Sequence, residues 1–245
     1  MTVWFLIVSY NRPALLKECV ESLLNSGIEV TIAILAQGTS KQINSTNIDY
    51  YFESTPGYPA IKRKELFKNV EDNIKSNEYI VFTDDDVVFN QSLNKIHEII
   101  KFTKSQHVET GLIQFAHNKP SKYDFKKIAL GFTGGGIMVK KETYESFGGH
   151  GEDYLDDVEL FIRSYLAGYQ NYRCGFVFAK HKIRSDGGLR ALIRERSGAN
   201  HIRRSKLDRV YDGLVERTGT WLGFKLSRNA HKLHKDNLRV NCHAT

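Results

Sequence analysis

The opening of the chain constrains its architecture more than any later part. VWFLIV at residues 3–8 is followed by Asn11-Arg12-Pro13, by a stretch of helical spacing, and by a second apolar run, VTIAIL, at 30–35. A short, wholly apolar run bounded by turn signals suits a strand buried on both faces. Proline suits a first helical turn; Leu15, Leu16, Cys19, Val20, Leu23 and Leu24 then share one stripe, and Gly27 closes the helix. Strand, helix and strand in this order form a βαβ unit with a right-handed crossover. That places ligand-binding loops at the carboxyl ends of parallel strands.

The alternation continues. The polar, turn-rich stretch 41–60, with Pro56, Gly57 and Pro59, reads as a loop over a ligand site rather than as an element. Helical spacing returns over 61–75, and Tyr79 to Phe82 is a strand ending on three aspartates. A helix over 92–104, a strand over 111–116 and a strand over 128–139 with Gly134-Gly135-Gly136 inside it come next. Helices over 142–147 and 156–167 and a last strand over 172–179 complete the series. The expected fold is α/β, with a mostly parallel central sheet flanked by helices.

With 245 residues, 41% of them hydrophobic and 11% aromatic, the chain supplies one sizeable core with a small appendage, which argues against a wholly disordered protein. Cys19, Cys174 and Cys242 are too few and too scattered for a disulfide framework or a CxxC metal knuckle. Val3 to Val8 is too short for a signal sequence or a membrane span, so the expectation is a cytoplasmic, soluble protein.

The formal charge of +7 is unevenly placed: residues 1–179 carry 19 Lys+Arg against 22 Asp+Glu, and residues 180–245 carry 16 against 6. The boundary expected is a domain over 1–182 and a basic helical segment over 183–245. Arg184, Arg190, Arg194, Arg196, Arg203, Arg204, Lys206 and Arg209 form a dense ladder there. A block of this kind seeks a polyanion, a nucleic acid or an anionic membrane surface, or is a solvated helical face.

The sharpest chemical signal is VFTDDDVVF at 81–89. Carboxylates placed one residue apart just past a buried strand converge on one point, as a hard divalent cation requires of oxygen ligands; acids at strand ends also serve solvation. A second acidic cluster comprises Glu145, Glu152, Asp153, Asp156, Asp157 and Glu159. One of Asp156 and Asp157 suits a helix N-terminus, which leaves the other for chemistry.

SYNRP after the first strand, PGYPAIKRKEL, FTDDD, TGGG, FGG and DDVELFIRSYLAGY, in this order over residues 2–182, resemble the family-two nucleotide-sugar glycosyltransferases of GT-A fold. The resemblance implies that Asp84-Asp85-Asp86 is the DxD motif, with Asp86 on Mg²⁺ or Mn²⁺ and with Asp84, nearer the ribose, and Asp85 on the nucleotide-sugar. His181 matches the late metal-binding histidine, against which stands a purely structural role. Asp157 matches the catalytic base of an inverting displacement, with Asp153 in reserve. Arg63 matches a residue facing the diphosphate, and Ser9, Tyr10 and Arg12 match the nucleotide pocket. The usual aspartate after the second strand is absent; Gln37 stands there, an amide able to bond a uracil, so the donor implied is a UDP-sugar. The basic segment then points to DNA carrying hydroxymethylpyrimidines as acceptor, as in viral (phage) DNA-modifying enzymes. A surface glycan or lipid-linked sugar, with the segment docked on anionic lipid, is the rival acceptor.

Overall fold

A computed structural model describes residues 2–42, 48–57, 59–117, 119–128, 136–151 and 156–182. The arginine ladder from Arg184 to Arg209 with the rest of the basic segment, Cys242, Asp153 and Gly134-Gly135 lie outside the described residues. The strands are β1 (Val3–Tyr10), β2 (Thr31–Gln37), β3 (Tyr50–Ser54), β4 (Tyr79–Asp84), β5 (Val87–Phe89), β6 (Thr110–His117), β7 (Phe125–Lys127), β8 (Ile137–Lys140) and β9 (Gln170–His181). Five α-helices are described: α1 (Pro13–Leu24), α2 (Pro59–Val70), α3 (Ile96–Ser105), α4 (Lys141–Ser146) and α5 (Asp156–Leu166).

Among the described residues the strands form one nine-stranded sheet ordered β3-β2-β1-β4-β8-β6-β9-β5, with β7 also paired to β9. β3, β2, β1 and β4 run parallel, and β6 and β9 share their direction; β8, β5 and β7 run against them. The sheet is thus mostly parallel, as the alternation of elements implies.

Burial of both faces explains the unbroken apolar run in β1. Val3, Phe5 and Ile7 pack on one side with Leu16, Cys19, Val20 and Leu23 of α1 and with Ile96, Ile99 and Ile100 of α3. Trp4, Leu6 and Val8 pack on the other with Leu66, Phe67 and Val70 of α2, Tyr144 of α4, and Leu160 and Phe161 of α5. The period of two along a strand sends alternate residues to opposite helical layers, so no position is left for a polar side chain. Cys19 and Cys174 are buried free thiols in this core. No helix among the described residues is long and apolar enough to cross a membrane.

Several elements differ from the sequence expectation, β5 among them, a three-residue strand not expected there. The stretch 41–60 contains a strand, since Tyr50 to Ser54 pairs in parallel with Ala33 to Gln37. β3 is an edge strand and only half-buried, so its polar neighbours hide it in the sequence. The 61–75 helix ends at Val70 and tightens into a 3₁₀ turn over Glu71–Asn73. Of the long strand expected over 128–139 the described residues show β8 from Ile137, residues 129–135 lying outside them, while β7 pairs separately with β9 over Phe125–Lys127.

Phe82 is fully buried in β4 with Tyr144 and His150 at ring-centre distances of 5.0 and 4.5 Å. Phe82→Ala is expected to cost about 3–5 kcal/mol in urea unfolding, whereas truncating the exposed Leu166 changes stability by no more than about 0.5 kcal/mol.

Candidate functional site

The carboxyl ends of β1, β2 and β4 converge, and the chain's acids collect there. Val8 pairs with Asp84 and Tyr10 with Gln37, so the residues just beyond β4 face the turn that leaves β1. That turn depends on Asn11, which has a φ of 54°. Asparagine tolerates this left-handed conformation better than most residues. Its Oδ1 accepts from Thr39 N at 2.8 Å, tying the turn to the end of β2, and Pro13 then starts α1.

Ser9, Arg12, Ser40 and Asp85 make a buried polar knot. Ser9 Oγ lies 2.6 Å from Asp85 Oδ2 and 2.7 Å from Ser40 Oγ, and Ser40 Oγ accepts from Arg12 N at 2.9 Å. Arg12 Nη1 reaches Asp85 Oδ1 at 3.3 Å and Asp86 Oδ2 at 2.7 Å. Asp85 and Ser9 are therefore turned inward, committed to internal bonds. Burial pushes the Asp85 carboxyl up to about 7, against the opposing pull of the Ser9 bond and Arg12. Asp86 is also desolvated, yet His181 and Arg12 together hold its carboxyl below the usual range.

Asp86 and His181 meet through pairing of the chain on either side of them. β5 begins at Val87, which pairs with His181, and Lys182 N donates to Asp86 O at 2.7 Å. His181 Nε2 comes 2.9 Å from Asp86 Oδ1, and donor atoms of Asp84, Asp86 and His181 all lie within 4.8 Å of one another. Two ligands at right angles on a small divalent cation, each about 2.1 Å away, stand roughly 3 Å apart. Two oxygens and one imidazole nitrogen form a donor set that such an ion accepts. Asp86 Oδ1 is buried with His181 Nε2 beside it, and a carboxylate oxygen with two lone pairs keeps one to offer an ion. The side chains present thus fit a divalent cation.

Arg63 joins this group to α5. From α2, where it is buried, its Nη2 reaches Asp84 Oδ1 at 2.5 Å and its Nη1 reaches Asp157 Oδ1 at 3.2 Å. Among the described residues the carboxylates of Asp84, Asp86 and Asp157, with Asp85 holding its proton up to about pH 7, face two guanidinium groups, an excess of negative charge that a divalent cation would offset. Gln37, at the end of β2, is fully buried; its Oε1 accepts from Gly57 N at 2.9 Å and pins the loop before α2. Tyr10 is half-buried at the end of β1, against Gly38.

Ser9, Tyr10, Arg12, Gln37, Arg63, Asp84, Asp85, Asp86, Asp157 and His181 thus lie in one neighbourhood at the carboxyl ends of the strands, with Ser9 and Asp85 beneath its surface, while Asp153 lies outside the described residues. Sequence reasoning does not single out Asn11, Ser40 or Lys62. Lys62 Nζ bonds Ser54 Oγ at 2.7 Å and Glu65 Oε2 at 2.6 Å beneath Gly57, where a Cβ would come 2.5 Å from Lys62 Cε. Asparagine just ahead of a helix-starting proline is a readable turn signal; Ser40 gives none.

No protein-family profile matches the chain, and no curated protein does. Solved structures do. Staphylococcus aureus TarS, residues 1–349, superposes with a TM-score of 0.56 at 13% identity, over 74% of this chain and 60% of that one. The same protein in complex with UDP-GlcNAc gives 0.58 at 12% identity, over 78% and 61%. The chain therefore spans about three fifths of the TarS fragment. At these identities the likeness shows the fold, which is GT-A-like α/β.

The buried knot has a pH signature. Between roughly pH 4 and 7 the folded chain keeps an Asp85 proton that the unfolded chain has released, so in metal-free protein this group lowers stability as pH rises across that window. Asp85→Asn removes the effect: the urea midpoint of the wild type should fall relative to the variant between pH 4 and pH 7, and parallel curves would contradict it.

Proposed function

We propose that the chain is a metal-dependent glycosyltransferase that moves a sugar from a nucleotide-sugar, a UDP-sugar, to an acceptor hydroxyl with inversion. The observation that carries the reading is the Asp84, Asp86 and His181 donor set, joined through Arg63 to Asp157 at the carboxyl ends of parallel strands. The GT-A-like fold supports it, as does the UDP-GlcNAc complex of the structurally similar TarS.

In this reading Asp84, Asp86 and His181 hold Mn²⁺ or Mg²⁺, which when bound neutralises the diphosphate leaving group. Arg63 presents its guanidinium to the same diphosphate and holds Asp157 in place. Asp157 accepts the proton of the acceptor hydroxyl as that oxygen forms its bond to the anomeric carbon and the bond to the diphosphate breaks. Attack opposite the leaving group inverts the centre. Tyr10 and Gln37 border the nucleoside, and the loop that Gln37 fixes through Gly57 closes one side of its pocket. Ser9 and Asp85 serve from below: they orient Arg12, which steadies Asp86. Residues 1–182 form the catalytic domain and the basic segment 183–245 receives the acceptor, DNA bearing hydroxymethylpyrimidines, through Arg184, Arg190, Arg194, Arg203 and Arg204.

Labelled UDP-sugar, Mn²⁺ and hydroxymethylcytosine-containing DNA should together yield labelled DNA, and chelation should abolish the transfer. Asp157→Asn should lower kcat by about 10²–10⁴-fold, as expected for loss of a general base. Label found in a lipid or oligosaccharide acceptor instead would replace DNA by the glycan reading and leave the enzyme class intact. Equal rates for wild type and Asp157→Asn would remove Asp157 as the base.

A further inference from the structure

The described surface carries a concentration of cations that the site above does not use. In KPSKYDFKKI, residues 119–128, Lys119, Lys122, Lys126 and Lys127 stand with the single acid Asp124, all exposed. They lie within residues 1–179, where acids outnumber bases by 22 to 19. Among the described residues no carboxylate pairs with these four, and their density within nine residues, 119–127, sets them apart from the other unpaired lysines. Tyr123 stands among them with 48% of its surface exposed, Lys122 Nζ 4.9 Å and Lys126 Nζ 6.0 Å from its ring centre.

The segment is firmly mounted. Gly175 N donates to Asp124 O at 2.8 Å, Ser121 N to Gly175 O at 2.9 Å, and Ile128 N to Asn171 O at 3.0 Å. Phe125 stacks on Phe102 of α3, ring centres 3.7 Å apart and planes within 5°. A Cβ on Gly175 would come 1.9 Å from Tyr123 O, so only glycine lets the two backbones approach this closely. The lysines therefore project from a fixed frame, which lowers the entropy cost of placing several of them along one ligand.

Position gives the ligand its shape. β7 and β5 both pair with the edge of β9 that β6 leaves open, β7 over Tyr172 to Cys174 and β5 over Ala179 to His181. β7, which carries Lys126 and Lys127, and β5, whose Val87 pairs with His181, thus lie along one side of β9. From Arg173, which pairs with Lys126, to His181 the strand spans at most about 26 Å at roughly 3.3 Å per residue. That length matches about eight stacked nucleotides of one strand.

We propose that this lysine- and tyrosine-bearing edge is a binding surface for a single DNA strand, with the lysines on phosphates and Tyr123 stacked on a base. Its use in bringing an acceptor to His181 rests on the glycosyltransferase reading; the binding itself does not. Spaced cations around an exposed aromatic ring form the pattern that tracks a backbone and stacks its bases. An anionic bilayer would draw on apolar side chains as well, but Phe125 is withdrawn onto Phe102, which leaves Tyr123 as the exposed aromatic of the segment.

The test uses the full chain and a fluorescein-labelled single-stranded 12-nucleotide DNA, read by anisotropy across a salt series. For Lys122→Gln/Lys126→Gln/Lys127→Gln, the slope of log K against log salt should shrink by about 2, at roughly 0.7 for each phosphate that is no longer neutralised. Tyr123→Ala should weaken binding about tenfold with its slope unchanged. An unaltered thermal midpoint certifies the fold; should the triple variant fail it, Lys122→Gln and Lys126→Gln singly should each cost about 0.7 in slope. Affinity and slope equal to wild type would overturn the proposal. So would lysine-dependent binding to phosphatidylserine vesicles with no lysine-dependent binding to the oligonucleotide. Calorimetry with UDP-sugar and Mn²⁺ on the wild type separates the two readings: lysine-dependent DNA binding without donor binding upholds this surface and removes the glycosyltransferase.

Discussion

Three consecutive carboxylates at the end of a buried strand repel one another and lose hydration, so they stay together only if cations are built in around them. Arg12 and Arg63 supply that compensation from opposite sides. Arg12 arrives from the turn after β1 and spans Asp85 and Asp86; Arg63 arrives from α2 and spans Asp84 and Asp157. The path of β1, the start of α1, the placement of α2 and the entry to α5 all meet in these ion pairs.

Among the described residues the compensation is incomplete, which is what would let the cluster take up a cation. A fully neutralised cluster would be an inert structural feature, whereas this one retains negative charge and an imidazole 2.9 Å from a buried carboxylate oxygen. The division of labour among the aspartates follows from burial. Asp85 is turned inward to Ser9 and Arg12 and works as a strut, while Asp84 and Asp86 converge with His181. An architecture that fixes its scaffold with one carboxylate and offers its neighbours to a ligand holds those neighbours at set distances before the ligand arrives.

Much of this was legible in the sequence because the physics behind it is local. Two buried faces force the apolar run VWFLIV, and a helix-starting proline and a stripe of leucines mark α1. Three aspartates after an apolar run announce a strand end with a charge problem to solve. The parts that escaped depend on pairing partners distant in the chain. β3 is a half-buried edge strand defined by β2, and β5 is three residues long and defined by β9. The inward turn of Asp85 reflects the β1–β4 register, which sets Ser9 opposite it, and no property of the triplet distinguishes its middle member. The contact of Arg63 with Asp157 joins residues 94 positions apart and is invisible to any spacing rule.

The central claim is that Asp84, Asp86 and His181 gather one divalent ion beside a nucleotide diphosphate. A crystal of the full chain soaked with UDP and Mn²⁺, with data collected at the manganese edge, tests this directly. A single anomalous peak is expected about 2.0–2.3 Å from a carboxylate oxygen of Asp84, a carboxylate oxygen of Asp86 and His181 Nε2. Bound UDP with no manganese between these three side chains, or manganese held elsewhere, would contradict it.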